Sequence, residues 1–244
     1  MQDRVRHALA PTRPEIDGLP LSSNATIVSE LLGHGGERAL DIGCGDGKFT
    51  RSLARLFANV GGVDVKEKSI AAARQGATSA GLTIDFRVAS GQELPYSDGH
   101  FDAVVFSNSL HHMPDPAIAL REALRALRNG GLLYIMEPVP SGNYHEATRL
   151  VNDETEVRTE AYARLLELPG VVEEREIMYR ARRTLADFEE WKADQIDRDA
   201  RRKARFDAQP DRVRASFVEA ADHEDGRLAF DQVFRVNLVR KSAA

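Results

Sequence analysis

From about residue 37 to residue 138 the chain alternates short apolar runs with segments whose apolar residues recur every three or four positions. "RALDIG", "NVGGVDV", "FDAVVFS" and "LLYIME" have the length of strands. "FDAVVFS" is apolar almost throughout, as a central parallel strand covered on both faces should be. "TIDFRVA" instead sets Ile84, Phe86 and Val88 against Asp85 and Arg87, which suits a strand exposed on one side. Between these runs, residues 47–58 predict a helix with Phe49, Leu53 and Leu56/Phe57 on one face, and residues 66–80 a second helix ended by Gly81. Asp115 reads as an N-cap with Pro116 at the first helical position. The helix that follows buries Leu120, Leu124 and Leu127 until Asn129-Gly130-Gly131 stops it. Strand–helix alternation of this kind predicts a doubly wound parallel sheet.

The second half has another rhythm. Residues 143–168 are strongly charged and predict helix, and "VVEEREIMYRARR" predicts a strand. Residues 184–206 predict one helix with Leu185, Phe188 and Trp191 at spacings of three, and "RLAFDQVFRVNLVR" a last strand. No internal repeat or linker stands out. The expectation is a single domain over 1–244, with a core at 37–138 and helical lid or substrate elements at 1–30, 141–168 and 184–222.

Composition narrows the partners. A length of 244 residues suffices for one α/β domain with a sizeable core. The net charge of −5 does not attract phosphate backbones, so no nucleic-acid partner is expected. "RRKAR" at 201–205 has Asp194, Asp197, Asp199 and Asp207 beside it and reads as a solvated helix face. The single cysteine, Cys44, permits no internal disulfide and fits a reducing compartment. No apolar run reaches membrane-spanning length and "MQDRVRHALAPTRPEID" has no signal-peptide core, so a cytoplasmic protein without membrane insertion is expected. Oligomeric state is not legible.

The candidate chemistry centres on "ALDIGCGDGKFT", residues 39–50. A P-loop fails here twice, because position 42 is isoleucine and Lys48 is followed by Phe49. A dinucleotide turn lacks its third glycine, since position 48 is lysine. What stands is Asp41 followed by Gly43, Gly45 and Gly47. An acid two residues before the first glycine repels a pyrophosphate and suits a ligand carrying an ammonium group.

With "LDIGCGDG", "GVDV", "ELPYSDGHFDAVVFSNSLHHMPDP" and "LRNGGLLYIMEP" in that order, the chain resembles the class I S-adenosylmethionine-dependent methyltransferases. The resemblance is to the broad group that includes ubiquinone/menaquinone-type and other small-molecule methyltransferases. The resemblance covers roughly residues 37–138. It implies a Rossmann-like, doubly wound seven-stranded sheet with helices on both faces, an inserted helical lid in the C-terminal half, and S-adenosylmethionine as cofactor, with S-adenosylhomocysteine as product. Gly43, Gly45 and Gly47 would leave room for the methionine moiety, with Cys44 a small filler of the turn. Asp41 would take up the amino group, and Asp64 the two ribose hydroxyls with Val65 beside it. Ser90, Gly91 and Gln92 would lie near adenine. The family commonly has an acid where Ser90 stands, and a serine oxygen accepts the adenine amino group more weakly. Ser107 and Asn108 would lie beside the sulfonium.

The sulfonium is an activated donor, so alignment of donor and acceptor supplies much of the catalysis. A base is needed only for an acceptor that arrives protonated. His111 and His112 are candidates for that base or, alternatively, fix their loop. Glu137 could be a base, a binder of a cationic acceptor, or a solvated strand-end acid. Tyr144, Arg149, Arg158, Tyr162 and Arg180 could bind a carboxylate or phosphate of the acceptor, or serve as salt bridges and core aromatics. The reading is methyl transfer to an oxygen, nitrogen or carbon of a small molecule. The alternatives are a tRNA- or protein-modifying methyltransferase and a non-catalytic cofactor-binding scaffold or sensor. No cluster of metal-ligand spacing is seen, so no metal is expected.

Overall fold

In the computed structural model, which describes residues 13–33 and 36–243, the apolar runs of the first half become five parallel strands. These are β1 (Arg38–Ile42), β2 (Asn59–Asp64), β3 (Asp85–Val88), β4 (Phe101–Ser107) and β5 (Leu127–Pro138). β6 (Val171–Leu185), β7 (Asp222–Glu224) and β8 (Arg227–Lys241) follow. The order across the sheet is β3-β2-β1-β4-β5-β8-β6, with β7 paired antiparallel to β8. Counting β7, the sheet has eight strands, one more than the seven expected. β1 and β4 are adjacent although β2 and β3 intervene in the chain. The strand order therefore reverses there, and in open α/β sheets ligands bind beyond the carboxyl ends of the strands at such a point. Residues 39–42 of β1 and 103–106 of β4 are buried, as their apolar runs require.

The described chain divides into two compact units. One comprises Ser23–Glu137, Thr159–Ile177 and the chain from Arg235 onward. It contains the parallel strands and the helices Asn24–Leu32, Lys48–Leu53, Glu67–Ser79, Pro116–Ala126 and Thr155–Leu166 (the last from Thr159). Asp115 caps its helix as expected, accepting from the N–H groups of Ala117 at 2.8 Å and Ile118 at 3.1 Å. The other unit comprises the described residues up to Ser22, Pro138–Arg158 and Met178–Phe234. Its core is aromatic: Trp191 stacks on Phe217 with ring centres 4.5 Å apart, and Phe217 meets Phe230 at 4.7 Å and Phe188 at 5.3 Å. Among the described residues no helix is long and apolar enough to cross a membrane.

Several boundaries move from the expected ones. The helix expected over 47–58 stops at Leu53, where the chain tightens into three-residue hydrogen-bonded turns from Arg55 N to Ser52 O and Leu56 N to Leu53 O. Its buried face holds Thr50, Leu53 and, beyond its end, Phe57, while Phe49 is half-buried. The helix from Pro116 ends at Ala126, and Leu127 already pairs with Phe101 in the sheet. Asn129-Gly130-Gly131 therefore lies in a strand irregularity before Leu132 pairs with Ala103. The single helix expected over 184–206 is three pieces, Phe188–Trp191, a π turn Lys192–Ile196, and Ala200–Asp207. Leu185 ends β6, and Asp187 starts the first piece by accepting from Glu190 N at 2.9 Å. Of the expected helical segment 1–30, residues 1–12 lie outside the described residues. The rest holds helices Arg13–Asp17 and Asn24–Leu32, with Leu21 bridged to Arg180 between them.

Candidate functional site

The glycine bend joins β1 to the helix Lys48–Leu53. Gly43 N and Cys44 N both donate to Val63 O, at 2.8 and 3.0 Å, which holds the bend against the end of β2. Gly43 has φ +73°, and a Cβ there would lie 2.6 Å from Ser109 Cβ, so no side chain fits. Gly45 has φ +53°, and a Cβ there would meet nothing within 4 Å. Gly43 and Gly47 close the bend against protein, a Cβ on Gly47 lying 2.8 Å from Phe86 Cζ, so of the three glycines expected to leave room for a ligand Gly45 alone faces open space. Gly47 opens the helix. Cys44 is buried, and burial, helped by the neighbouring acids, pushes its thiol well above the usual range, which favours the neutral thiol.

Two acids flank the bend. Asp64, at the end of β2, accepts from Gly45 N at 3.0 Å through Oδ2 and from Lys66 N at 2.8 Å through Oδ1. Each oxygen keeps a lone pair, so the carboxylate can still take a pair of hydroxyls. Asp41 is buried in β1. Its Oδ2 accepts from Thr50 Oγ1 at 2.6 Å, and its Oδ1 has no hydrogen-bond partner among the described residues. Burial pushes its carboxyl up to about 7; the Thr50 bond works against that rise and the charge of Asp64 adds to it. A buried, half-satisfied carboxylate is costly unless something cationic completes it.

The other strands bring their ends to the same edge. Val65 is exposed at 64%, an apolar face left uncovered beside Asp64. Ser90 turns its own loop, its Oγ accepting from Gln92 N at 3.1 Å, while Gln92 Oε1 accepts from Asp115 N at 3.3 Å. Gly91 lies against Ile42 and Met113. Ser107 ends β4, and Asn108 follows at φ +54°, its N–H donating to Met136 O at 2.8 Å. His111 and Glu137 form a buried pair through Nδ1 and Oε2, and Glu137 Oε1 also accepts from Leu110 N at 2.8 Å. A solvated acid at the end of β5 is thereby replaced by a buried, oriented one. His112 is exposed, with its ring centre 3.9 Å from that of His111.

The expected acceptor residues are engaged in contacts of their own. Tyr162 is buried, donates to Glu176 Oε2 at 2.6 Å, and carries the Arg235 guanidinium 3.4 Å above its ring centre. In the other unit, Arg180 pairs with Asp231 at 2.7 Å, Arg149 with Glu146 at 2.8 Å on the surface, and Arg158 with Glu154. Tyr144 stands edge-on to Phe230 with the Arg183 guanidinium 5.5 Å from its ring centre. Reading the sequence passed over three residues of the bend's surroundings: Thr50, Ser109, whose Oγ donates to Ile42 O at 2.6 Å, and Met113. For Thr50 a signal existed, because it is polar at the spacing of the buried Leu53 and needed a partner.

The comparisons bear on the same stretch. Residues 40–135 match the family model described as a methyltransferase domain. A ubiquinone biosynthesis O-methyltransferase of Xanthomonas axonopodis pv. citri is 36% identical over 130 residues, 53% of this chain and 50% of that protein. A 27-O-demethylrifamycin SV methyltransferase of Amycolatopsis mediterranei is 40% identical over 122 residues, 47% of this chain and 45% of that protein. The chain thus spans about half the length of the curated relatives it matches. Among solved structures, a Bacillus halodurans C-125 protein described as a methyltransferase superposes with TM-score 0.67 at 21% identity, over 91% of this chain and 100% of that one. The [4+2]-cyclase SpnF superposes with TM-score 0.58 at 22% identity, over 90% and 81%. The matched residues are the strands and the bend described above. Over residues 40–135 the chain is therefore similar to a methyltransferase domain, and its fold is that of the Rossmann-like methyltransferase structures it superposes on.

Proposed function

We propose that this protein transfers the methyl group of S-adenosylmethionine to an oxygen of a small molecule. The observation that carries the reading is Asp41, a buried carboxylate with one oxygen unpartnered among the described residues, standing beside a bend that opens at Gly45. The donor set fits the cofactor. Asp41 would bind its ammonium, directly or through water, and Asp64 would accept both ribose hydroxyls while Gly45 N from the bend and Lys66 N beyond β2 hold it in place. Val65 offers an apolar face to adenine, with Ser90, Gly91 and Gln92 at the base's edge. Ser107 and Asn108, at the end of β4, would lie beside the reacting end.

When bound, the cofactor supplies a methyl group already activated on a sulfonium. The chain supplies alignment, and for a hydroxyl acceptor a place for the proton. With Nδ1–H donated to Glu137, the basic lone pair of His111 is on Nε2. His111 is then the base and Glu137 the residue that orients it. The choice of oxygen as acceptor atom follows the two O-methylating relatives. The SpnF likeness is a reminder that this fold does not by itself dictate the reaction.

The test is formation of S-adenosylhomocysteine from S-adenosylmethionine in the presence of a cell-metabolite extract, with the methylated product found by mass spectrometry. No turnover despite tight cofactor binding turns the reading toward a scaffold or sensor. With an acceptor in hand, His111→Ala is expected to leave binding nearly unchanged and to lower turnover by about 10²–10⁴-fold, the usual contribution of a positioned base. Unchanged turnover removes the base assignment.

A further inference from the structure

Thr50 closes the motif that holds the bend, yet none of the steps above uses it. It is fully buried in the helix Lys48–Leu53. A threonine in a helix ordinarily bonds back to a carbonyl in the preceding turn. This one instead donates to Asp41 Oδ2 on β1, at 2.6 Å.

The consequence is an asymmetric carboxylate. One oxygen is tied by a buried hydroxyl, and the other is buried without a partner among the described residues. A single strong bond from a fixed donor sets the plane of a carboxylate whose last torsion is otherwise broad. We infer that Thr50 is a positioning residue for the cofactor, pinning Oδ2 of Asp41 so that Oδ1 is presented, ionised, to the cofactor's amino group. The inference rests on reading the bend as the seat of that amino group.

The surroundings make the hydroxyl matter. The titratable groups facing Asp41 are Asp64 from β2 and the Cys44 thiol from the bend. Asp64 opposes a second negative charge, and the thiol stays neutral. Burial opposes the charge as well, which leaves Thr50 as the group that favours it. Without the hydroxyl, Asp41 takes a proton more readily near neutral pH and meets the ammonium as a neutral acid.

Titration calorimetry of the full chain with S-adenosylhomocysteine between pH 6 and 8.5 tests this, using wild type, Thr50→Val, Thr50→Ser and Asp41→Asn. Thr50→Val is expected to bind at least about tenfold more weakly at pH 7, the scale of a lost bond to a charged group. It should recover much of the difference by pH 8.5, where Asp41 is ionised again. Thr50→Ser keeps the hydroxyl and should follow the wild-type profile. If the valine change does not fold, Thr50→Ala carries the same expectation. Wild-type affinity and an unshifted pH profile without the hydroxyl overturn the inference, as does a loss equal at every pH or a serine variant that behaves like the valine one. If wild type binds, Asp41→Asn does not and Thr50→Val matches wild type, only the Thr50 role is lost. If wild type does not bind, the seat itself is wrong and this role goes with it.

Discussion

The glycine bend and the aromatic unit treat their charged side chains in opposite ways. In the unit that holds Met178–Phe234, charges are matched internally: Arg180 with Asp231, Arg183 with Asp194, Lys192 with Asp197. Its cohesion comes from Trp191, Phe188, Phe217 and Phe230, packed ring against ring. At the bend, a buried acid is held by one hydroxyl and keeps a second oxygen unpartnered among the described residues, and an exposed valine stands beside another acid. At the bend the half-satisfied group is a buried carboxylate beside an open glycine, which supports the proposed cofactor seat.

The largest expected effect sharpens the aromatic side of that contrast. Trp191→Ala removes the centre of the cluster and should lower stability by about 3–5 kcal/mol, read as a shift in the urea midpoint. A loss under 1 kcal/mol would mean the rings are not what holds this unit together.

The next concerns the bend without its ligand. Asp41 has a carboxyl pushed up from 3.8 to about 7 by burial. The folded chain therefore keeps a proton that the unfolded chain has already released. Stability from this group is full below about pH 4 and is lost as pH rises toward 7, by on the order of a few kcal/mol. Urea unfolding of wild type and Asp41→Asn at pH 5 and pH 8 checks the sign. Wild type should weaken across that range more than the variant, and equal losses would refute the strained carboxyl.

Asp64→Ala should weaken S-adenosylhomocysteine binding at least tenfold, about 1.5–3 kcal/mol for bonds to a charged acceptor, by calorimetry. Unchanged affinity would remove the ribose assignment. The smallest effect belongs to the surface of the aromatic unit. Arg149→Ala breaks an exposed pair with Glu146 and should change stability by no more than about 0.5 kcal/mol in the same urea assay. A larger loss there would blur the distinction between the two regions.

Much of this was legible in the chain because it rests on local chemistry. Apolar runs of strand length, Asp115 before Pro116, and the order of acid and glycines in 41–47 each constrain a few consecutive residues, and each matches an element or turn of the structure. The errors fell where a distant partner decides. Leu127 continues the apolar spacing of its helix but pairs with Phe101 in the sheet. Leu185 shares a spacing of three with Phe188 and Trp191 but ends a strand.

The sequence alone determined the parallel sheet, the bend and the identity of the acids around it, because periodicity and short motifs record which residues are covered and where the backbone must turn tightly. Only tertiary structure decided what those acids are bound to. Thr50 meets Asp41, and His111 meets Glu137, across separations of 9 and 26 residues. Such pairings follow from how strands and helices stack, and no local pattern encodes whether a buried carboxylate ends up satisfied or waiting.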